Sequence, residues 1–476
     1  MKNQYPSRTA LTGLALFILI NVMPGRASAD DVTTSATVQS LQRSIVQHQE
    51  LLATQAKQLE QQQQQIREQS EQLQTMENQL KQLVAASGGS EEAVSQQTVA
   101  TTGSVNPDDP TEMKPDTLPG YLEMPGTDLS MKIGGYVKMS IVQSFDPVAS
   151  PDRFIVGSIP ITGNEAGIES QASLSPRQSR LNLDVRGNSA LGPLRAFIEG
   201  DFAASGDTFR LRHAYGQFRK VLAGKTWSTF VDSQAVPEDI DFEGLNGRVN
   251  VRQAQLRFFP SIGKHLELAV AIEDPNPDVT GGAGLTKVPD VVVSLRRPVL
   301  NRWHVRSSLL LRKISARPDD NPSVTGSADG WGLSASGRLN VPQLGDADNL
   351  LFQLNYGDGI GRYINDLGSV GGQDAVFDPV TGKLETLTAF GAYASFQHWW
   401  SEKMRSTFVV GFTEVDNFDF QPDDAYHQTR RVTANLLFSP IPEVDIGAEL
   451  LWGKRTNKDG NTGDAVQMQI AARYIF

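Results

Sequence analysis

Arginines recur at alternate positions in the second part of the chain, and this spacing points to the binding of anions. Arg210 and Arg212 share one face of a segment in which polar and apolar residues alternate. A guanidinium group stays charged at any physiological pH and binds a carboxylate through a rigid pair of N–H donors. The other arginines on such polar faces are Arg180, Arg195, Arg257, Arg306, Arg338, Arg405, Arg431 and Arg473. If these faces line a water-filled passage, their charges attract anions and lower the barrier to anion entry.

The same polar faces carry carboxylates, and this leaves a second interpretation open. The acids on these faces are Asp184, Glu199, Asp201, Glu267 and Glu449. Carboxylates beside guanidinium groups form ion pairs, and paired arginines contribute little net field. The passage is therefore predicted to be either anion-favouring or charge-balanced.

One loop, residues 231–250, is the predicted constriction of this passage. Its acids are Glu238, Asp239, Asp241 and Glu243, and Arg248 and Arg252 follow them. Folded inward, an acidic loop opposite an arginine wall would create a transverse field that orients dipolar solutes. The alternative is that these acids lie in solvent at the outer mouth.

Signals for catalysis, metals or cofactors are weak. The chain contains no Cys, which excludes thiolate zinc sites and cysteine nucleophiles. Neither H-E-x-x-H nor G-x-S-x-G occurs. Gly224-Lys225-Thr226 imitates the end of a phosphate-binding loop but lies in a strand pattern. His213 and His304 are the mid-strand histidines that a lipid hydrolase could use. We expect no catalytic residue, no metal and no cofactor.

The elements that position these residues are strands, because hydrophobicity alternates with period 2 over about sixteen segments of residues 129–476. The segments lie near 131–143, 178–187, 192–203, 209–219, 221–230, 251–259, 265–273, 289–296, 302–313, 331–341, 349–357, 386–398, 403–414, 428–438, 443–453 and 464–476. Short links follow even-numbered segments. Long loops, near 144–177, 231–250, 274–288, 314–330, 358–385 and 415–427, follow odd-numbered ones. This alternation is typical of an outer-membrane barrel.

Tryptophans support the barrel prediction independently. Trp227, Trp331 and Trp452 lie at the long-loop ends of their segments, whereas Trp303 and the pair Trp399-Trp400 lie at the short-link ends. Two aromatic bands are expected where a barrel crosses the two membrane interfaces. The predicted fold class is all-β, a transmembrane antiparallel β-barrel of about 16 strands, preceded by an N-terminal α-helical coiled coil.

Three segments precede the predicted barrel. Residues 1–29 combine a positive start, a short apolar core and Ala27-Ser28-Ala29, which predicts a signal peptide. Residues 38–84 keep a heptad with one apolar position occupied by Val38, Ile45, Leu52, Leu59, Ile66, Leu73 and Leu80. This predicts a coiled coil in the periplasm, with disordered Gln-rich low complexity as the alternative. Residues 85–128 are rich in Ser, Gly, Thr and Pro, as in a flexible linker.

Composition narrows the function classes further. The net charge of -11 disfavours nucleic acid as a partner, because a phosphate backbone needs a basic face. Repeated apolar runs of about 20 residues, which a polytopic helical membrane protein needs, do not occur.

Several motifs resemble those of the DcaP-like outer-membrane porins. They are Met131–Tyr136, Ser179–Leu183, Arg210–Gly216, Gly224–Phe230, Pro237-Glu238 and Asp241–Gly244. The resemblance covers most of the chain after the signal peptide. It implies a homotrimer of sixteen-stranded barrels that takes up small, often dicarboxylic, anionic solutes. The closing Tyr474-Ile475-Phe476 looks like the terminal signal read by the barrel-assembly machinery.

The predicted function is that of a porin in the outer membrane of a Gram-negative bacterium, surrounded by outer-membrane lipid. Small hydrophilic, anionic solutes are expected to diffuse passively through its lumen. One alternative is a tether in which the barrel is an anchor and the coiled coil reaches the cell wall, with peptidoglycan as a partner. The other alternative is a lipid hydrolase.

Overall fold

The strands of the barrel begin close to where alternation begins in the sequence. The computed structural model describes residues 120–161, 170–263, 265–299 and 303–476. The predicted signal peptide, the predicted coiled coil and the predicted linker up to residue 119 lie outside the described residues.

Sixteen strands form one closed antiparallel barrel. They are β1 (Leu129–Ser144), β2 (Gln171–Ser175, continued by Arg180–Ser189), β3 (Gly192–Asp201), β4 (Arg210–Phe218), β5 (Val221–Trp227), β6 (Arg252–Phe258), β7 (Glu267–Glu273), β8 (Asp290–Pro298), β9 (His304–Pro318), β10 (Gly326–Asn340), β11 (Asn349–Asp358), β12 (Thr388–Ser401), β13 (Met404–Val415), β14 (Tyr426–Ile441), β15 (Val444–Asn457) and β16 (Thr462–Ile475). β16 pairs with β1 over Tyr136–Ser144, which closes the ring. Closure leaves no edge strand, as a bilayer requires. The predicted all-β barrel is confirmed.

A few short elements accompany the sixteen strands. Five short strands are Leu122–Glu123, Val279–Thr280, Gly282–Gly284, Ala375–Phe377 and Leu384–Thr386. Three 3₁₀ turns span Val156–Ser158, Ser205–Asp207 and Gly361–Tyr363, and the helix α1 spans Leu367–Val370. Among the described residues, no helix is long and apolar enough to cross a bilayer.

The strand Leu122–Glu123 lies within the segment predicted as a linker. It pairs with β1, Leu122 opposite Met131. Regular structure therefore begins before residue 129.

The two faces of each long strand differ as the alternation predicts. On β14, Val432 is 46% exposed and Leu436 is 47% exposed, whereas Arg431 and Thr433 are each 2% exposed. The exposed apolar face points outward, where lipid replaces water, and the polar face points inward. Strand length varies around the ring, since β5, β6 and β7 have 7 residues each and β14 has 16.

The loop predicted near 314–330 is too long. These residues look like a loop in the sequence because Ser, Ala and Gly weaken the alternation there. In the structure β9 and β10 continue pairing up to Ala316 opposite Gly326, so the connection is only 319–325. Ile314 and Ala316 stay in a strand because their side chains pack inward against Ala375 and Leu384.

An apolar core fills part of the barrel interior. Two loops supply much of it: Phe230 and Val249 from the connection between β5 and β6, and Ile360 and Ile364 from the connection between β11 and β12. The strands of the wall contribute inward-facing apolar residues to this core, such as Leu310, which is fully buried. The sequence carries a sign of this, because Leu309–Leu311 is a continuous apolar run that serves both faces.

The tryptophans divide between the two faces. Trp331 packs against the exposed Tyr356 at the long-loop end, as an interfacial residue should. Trp399 instead lies 5.2 Å from the guanidinium of the inward Arg405, and Trp227 packs against the interior core. The prediction that all six tryptophans anchor the interface is therefore wrong for these two.

The lipid-facing surface gives a test of the outward assignment. Leu450 lies on the outer face of β15 and is 55% exposed. We expect Leu450→Arg to destabilise the barrel by up to about 2–4 kcal/mol, because a charge near the bilayer midplane is costly. Thr456→Arg, on the same face near the strand end, is the control, with an expected cost of about 0–1 kcal/mol. Urea unfolding in lipid vesicles measures both, and equal costs would contradict the assignment.

Candidate functional site

The connection between β5 and β6, residues 228–251, folds into the barrel and crosses it. We call it the inner loop. Near its start, Asp232 accepts hydrogen bonds from the hydroxyl of Ser336 at 2.7 Å and contacts His304 Nε2 at 2.8 Å. Further on, the hydroxyl of Tyr393 on β12 donates to the carbonyl of Ala235 at 2.8 Å. The loop thus runs past β9 and β10 and reaches β12.

Two glycines of the wall allow the inner loop to lie against the strands. Gly391 and Gly411 present no side chain inward, and an added Cβ would come within 2.8 Å of Gly247 and 2.2 Å of Asn246. Gly247 itself has φ +80°, and a Cβ there would meet the carbonyls of Ala392 and Phe412 at 2.5 Å. Only glycine fits both the conformation and the space.

The predicted constriction acids all lie in the inner loop, and two of them form ion pairs with the far wall. Glu238 binds Arg405 with both carboxylate oxygens, at 2.5 and 2.9 Å. Asp241, which is 4% exposed, binds Arg431 Nη2 at 2.9 Å. The backbone N–H groups around Asp241 donate to Glu449 of β15. These contacts anchor the loop, and the two ion pairs neutralise the charges of Glu238 and Asp241.

The other two acids of the loop lie in more enclosed surroundings. Glu243 accepts a hydrogen bond from the Ser369 hydroxyl and lies 3.8 Å from Arg153. Burial raises the pKa of Glu243 and the pKa of Asp239 above their usual range. For Asp232 burial acts the same way, but the contact with His304 more than offsets it and lowers the pKa.

Three predicted pore-lining arginines hold the inner loop, and a fourth holds the strand end next to it. Arg405 and Arg431 bind its acids, as described above, and Arg306 donates to the carbonyl of Thr229 at 2.6 Å. Arg257, which is 1% exposed, donates to the carbonyl of Trp227 at 2.6 Å. These four side chains are buried. The charge-balanced interpretation describes the contacts of Arg405 and Arg431, which bind acids, whereas the contacts described above for Arg306 and Arg257 are to backbone carbonyls.

A second group of predicted arginines lies on the β2–β6 side, toward the long-loop end. We call it the upper cluster; its members are Arg180, Arg210, Arg212, Arg252, Glu199 and Asp201. Asp201 binds both Arg210, at 2.8 Å, and Arg212, at 2.6 Å. Glu199 lies 3.0 Å from Arg212 and 3.7 Å from Arg180. Three of the four guanidinium groups therefore share two carboxylates.

Arg252 is the member of the upper cluster that has no carboxylate within ion-pair distance among the described residues. Its guanidinium lies 3.7 Å from the ring centre of Trp227. Arg180, Arg210 and Arg212 are close enough for their charges to act on it. A cation stacked on an indole and surrounded by like charges is stabilised when an anion binds it.

The inner loop faces the upper cluster with an aromatic residue. The ring of Phe242 lies 5.4 Å from the guanidinium of Arg210 and 5.1 Å from that of Arg153. The arrangement differs from the predicted transverse field, because Glu238 and Asp241 turn toward the far wall. They do so because a buried carboxylate needs a cation partner.

The three remaining predicted arginines lie elsewhere on the wall. Arg473 of β16 donates from Nε to Asp445 Oδ2 at 3.1 Å. Arg195 makes two hydrogen bonds to Asp184, at 2.9 and 2.8 Å, and is 5% exposed. Arg338 lies on the inward-facing positions of β10, opposite His304 of β9, and is half-buried.

The histidines considered for a lipid hydrolase point inward. His213 Nδ1 lies 2.9 Å from the hydroxyl of Thr226, and His213 is 7% exposed. His304 is buried, and Asp232 stands between it and Ser336. A nucleophile needs the imidazole beside its hydroxyl, and here the carboxylate takes that place. Neither histidine meets a serine on the lipid face.

The family profile described as "DcaP outer membrane protein" matches residues 125–476. Among solved structures, the outer membrane channel DcaP of Acinetobacter baumannii has a TM-score of 0.65 at 20% identity and covers 73% of this chain and 97% of that chain. An anion-selective porin from Comamonas acidovorans has a TM-score of 0.49 at 10% identity, with 73% and 100% covered. OmpT of Vibrio cholerae has a TM-score of 0.46 at 11% identity, with 75% and 100% covered. No curated protein matches the chain.

The Asp241–Arg431 pair gives a test of the anchored loop. Asp241→Asn leaves the guanidinium of Arg431 buried without its carboxylate. We expect a loss of about 3–5 kcal/mol in stability, because removing one member of a buried ion pair leaves the other charge buried without a partner. We also expect noisier single-channel currents, because the inner loop loses its hold on β14.

Asp423→Asn is the control, because Asp423 is exposed in the loop between β13 and β14. Urea unfolding and planar-bilayer recording measure the two effects. A variant of Asp241 that behaves like the Asp423 variant would contradict the anchoring role.

Proposed function

Because the chain belongs to the DcaP outer membrane protein family and forms a porin-type barrel in the outer membrane, we propose that it passes small anions, chiefly carboxylates. The observation that carries the proposal is the upper cluster, in which Arg252 has no acid partner among the described residues. An anion that reaches Arg252 exchanges part of its hydration shell for contact with a fixed cation beside an aromatic ring.

The pairing of the inner loop supports the same proposal. Had Glu238 and Asp241 faced the upper cluster, their charges would have cancelled it. Both are bound to Arg405 and Arg431 instead. The upper cluster therefore keeps an excess of positive charge. Dicarboxylates fit it well, because two guanidinium groups can bind one solute.

The upper cluster makes the selectivity testable. We expect Arg252→Gln to lower the anion-over-cation permeability ratio by roughly two-fold or more, and Arg210→Gln added to it to lower the ratio further. The measurement is the reversal potential of the purified protein in a planar bilayer under a KCl gradient.

Lys313→Gln is the matched control, because Lys313 lies on the outer face and pairs with Asp329 at 2.8 Å. It removes one positive charge without touching the interior. A reversal potential that stays the same in the Arg252 variant would overturn the proposal.

We further propose that the protein is a homotrimer whose N-terminal coiled coil, residues 38–84, lies in the periplasm. The heptad of apolar residues supports this assembly. A periplasmic position is supported by the short connections, which lie at the same end of the barrel as the chain termini and are typically periplasmic in such barrels. The terminal Phe476 remains the predicted signal for the barrel-assembly machinery.

A helix-breaking substitution separates assembly from insertion. We expect Leu59→Pro to reduce the trimer fraction while the barrel still inserts, because proline in a helix interior costs about 3 kcal/mol. Leu59→Met is the control. Crosslinking reports the trimer, and heat-modifiable gel mobility reports the folded barrel. Loss of the folded barrel in the proline variant would count against separable segments.

A further inference from the structure

A second group of charges lies on the inner face of β1–β3, closer to the short connections. We call it the lower cluster; it consists of Lys132, Asp184, Arg186 and Arg195. Arg186 Nη2 lies 3.0 Å from Asp184, and Arg195 makes its two hydrogen bonds to the same carboxylate. Lys132 is directly opposite Asp184 across the strands. These four side chains carry three positive charges and one negative charge.

The segment before the barrel lies over the lower cluster. Tyr121 donates a hydrogen bond from its hydroxyl to Asp184 Oδ2 at 2.8 Å, and its ring lies 5.4 Å from the guanidinium of Arg186. Gly120 is next to Lys132, since a Cβ at Gly120 would lie 3.6 Å from the Lys132 ammonium. Pairing of Leu122 with Met131 fixes the segment in this position.

Tyr121 is held as a neutral donor. Burial and the charge of Asp184 raise the pKa of the Tyr121 phenol, so the hydroxyl keeps its proton. The phenol therefore covers the cations without neutralising them. A carboxylate solute could displace the ring and bind Arg186 and Lys132, because its charge makes stronger contacts with cations than an aromatic face does.

We propose that the lower cluster is a binding position for small carboxylate anions at the short-connection end of the lumen, and that Tyr121 restricts access to it. The inference rests on the proposed function and adds a second position to the upper cluster. Two successive weak sites allow an anion to enter one as another leaves, which favours conduction over trapping.

The test uses citrate as a blocker of single-channel current, added separately to each side of a planar bilayer. In the Tyr121→Ala variant we expect half-block at about five-fold lower citrate than in the unmodified chain, because one hydrogen-bonded cover is gone. The change is confined to the side that carries the chain termini. Tyr121→Phe keeps the ring and loses the hydroxyl, and we expect a smaller change in the same direction.

Tyr356→Ala is the matched control, because Tyr356 is 49% exposed on the outer face of β11. Tyr121→Ala combined with Arg195→Gln removes a cation of the lower cluster and should return the half-blocking concentration toward its original value. Heat-modifiable mobility confirms that each variant folds.

The outcomes separate the two proposals. Anion preference in the unmodified chain, with half-block unchanged in Tyr121→Ala, overturns the lower site and leaves the proposed function standing. Equal changes from both sides also overturn it, since they indicate an effect on the whole lumen. A one-sided change in a channel without anion preference supports the lower site and overturns the proposed function.

Discussion

The cost of burying an unpaired charge governs the path of the inner loop through this barrel. The inner loop brings Glu238 and Asp241 into a space shielded from water, where an isolated carboxylate is costly. Arg405 and Arg431 of the far wall supply the partners. This pairing fixes the path of the loop and leaves the arginines of β2–β6 with too few acids. The excess of arginines over acids in the upper cluster is thus a consequence of where the loop is anchored.

Much of the fold could be predicted because lipid and water impose opposite demands on alternate residues. The segment that became β14 was correctly predicted as a strand. In it the buried Arg431 precedes the exposed Val432, and Leu436 is exposed as well. The connection at 319–325 could not be predicted, because small residues such as Ala316 and Gly326 give little contrast between faces. The interior core was missed because an inward apolar residue has meaning only when its partner loop is known.

The site could be predicted only in part, for a related reason. Alternation places Arg210 and Arg405 on the polar face, but it cannot say which of them meets an acid. Arg405 binds a residue 167 positions away, and such distant partners follow from how a loop folds, not from spacing. Family membership, which spans residues 125–476, adds the barrel and its membrane but no solute.

The variation in strand length around the barrel has a consequence for the surrounding bilayer. A strand of 7 residues, as in β5, β6 and β7, tilted by about 40°, covers only about 18 Å along the membrane normal. The apolar band of an outer-membrane barrel is about 25 Å tall. On this side the protein is hydrophobically mismatched, so the acyl chains next to it must compress or give way to another surface. If lipid faces this side, the bilayer is thinner there than beside the long strands, whereas a second barrel packed against it removes the mismatch.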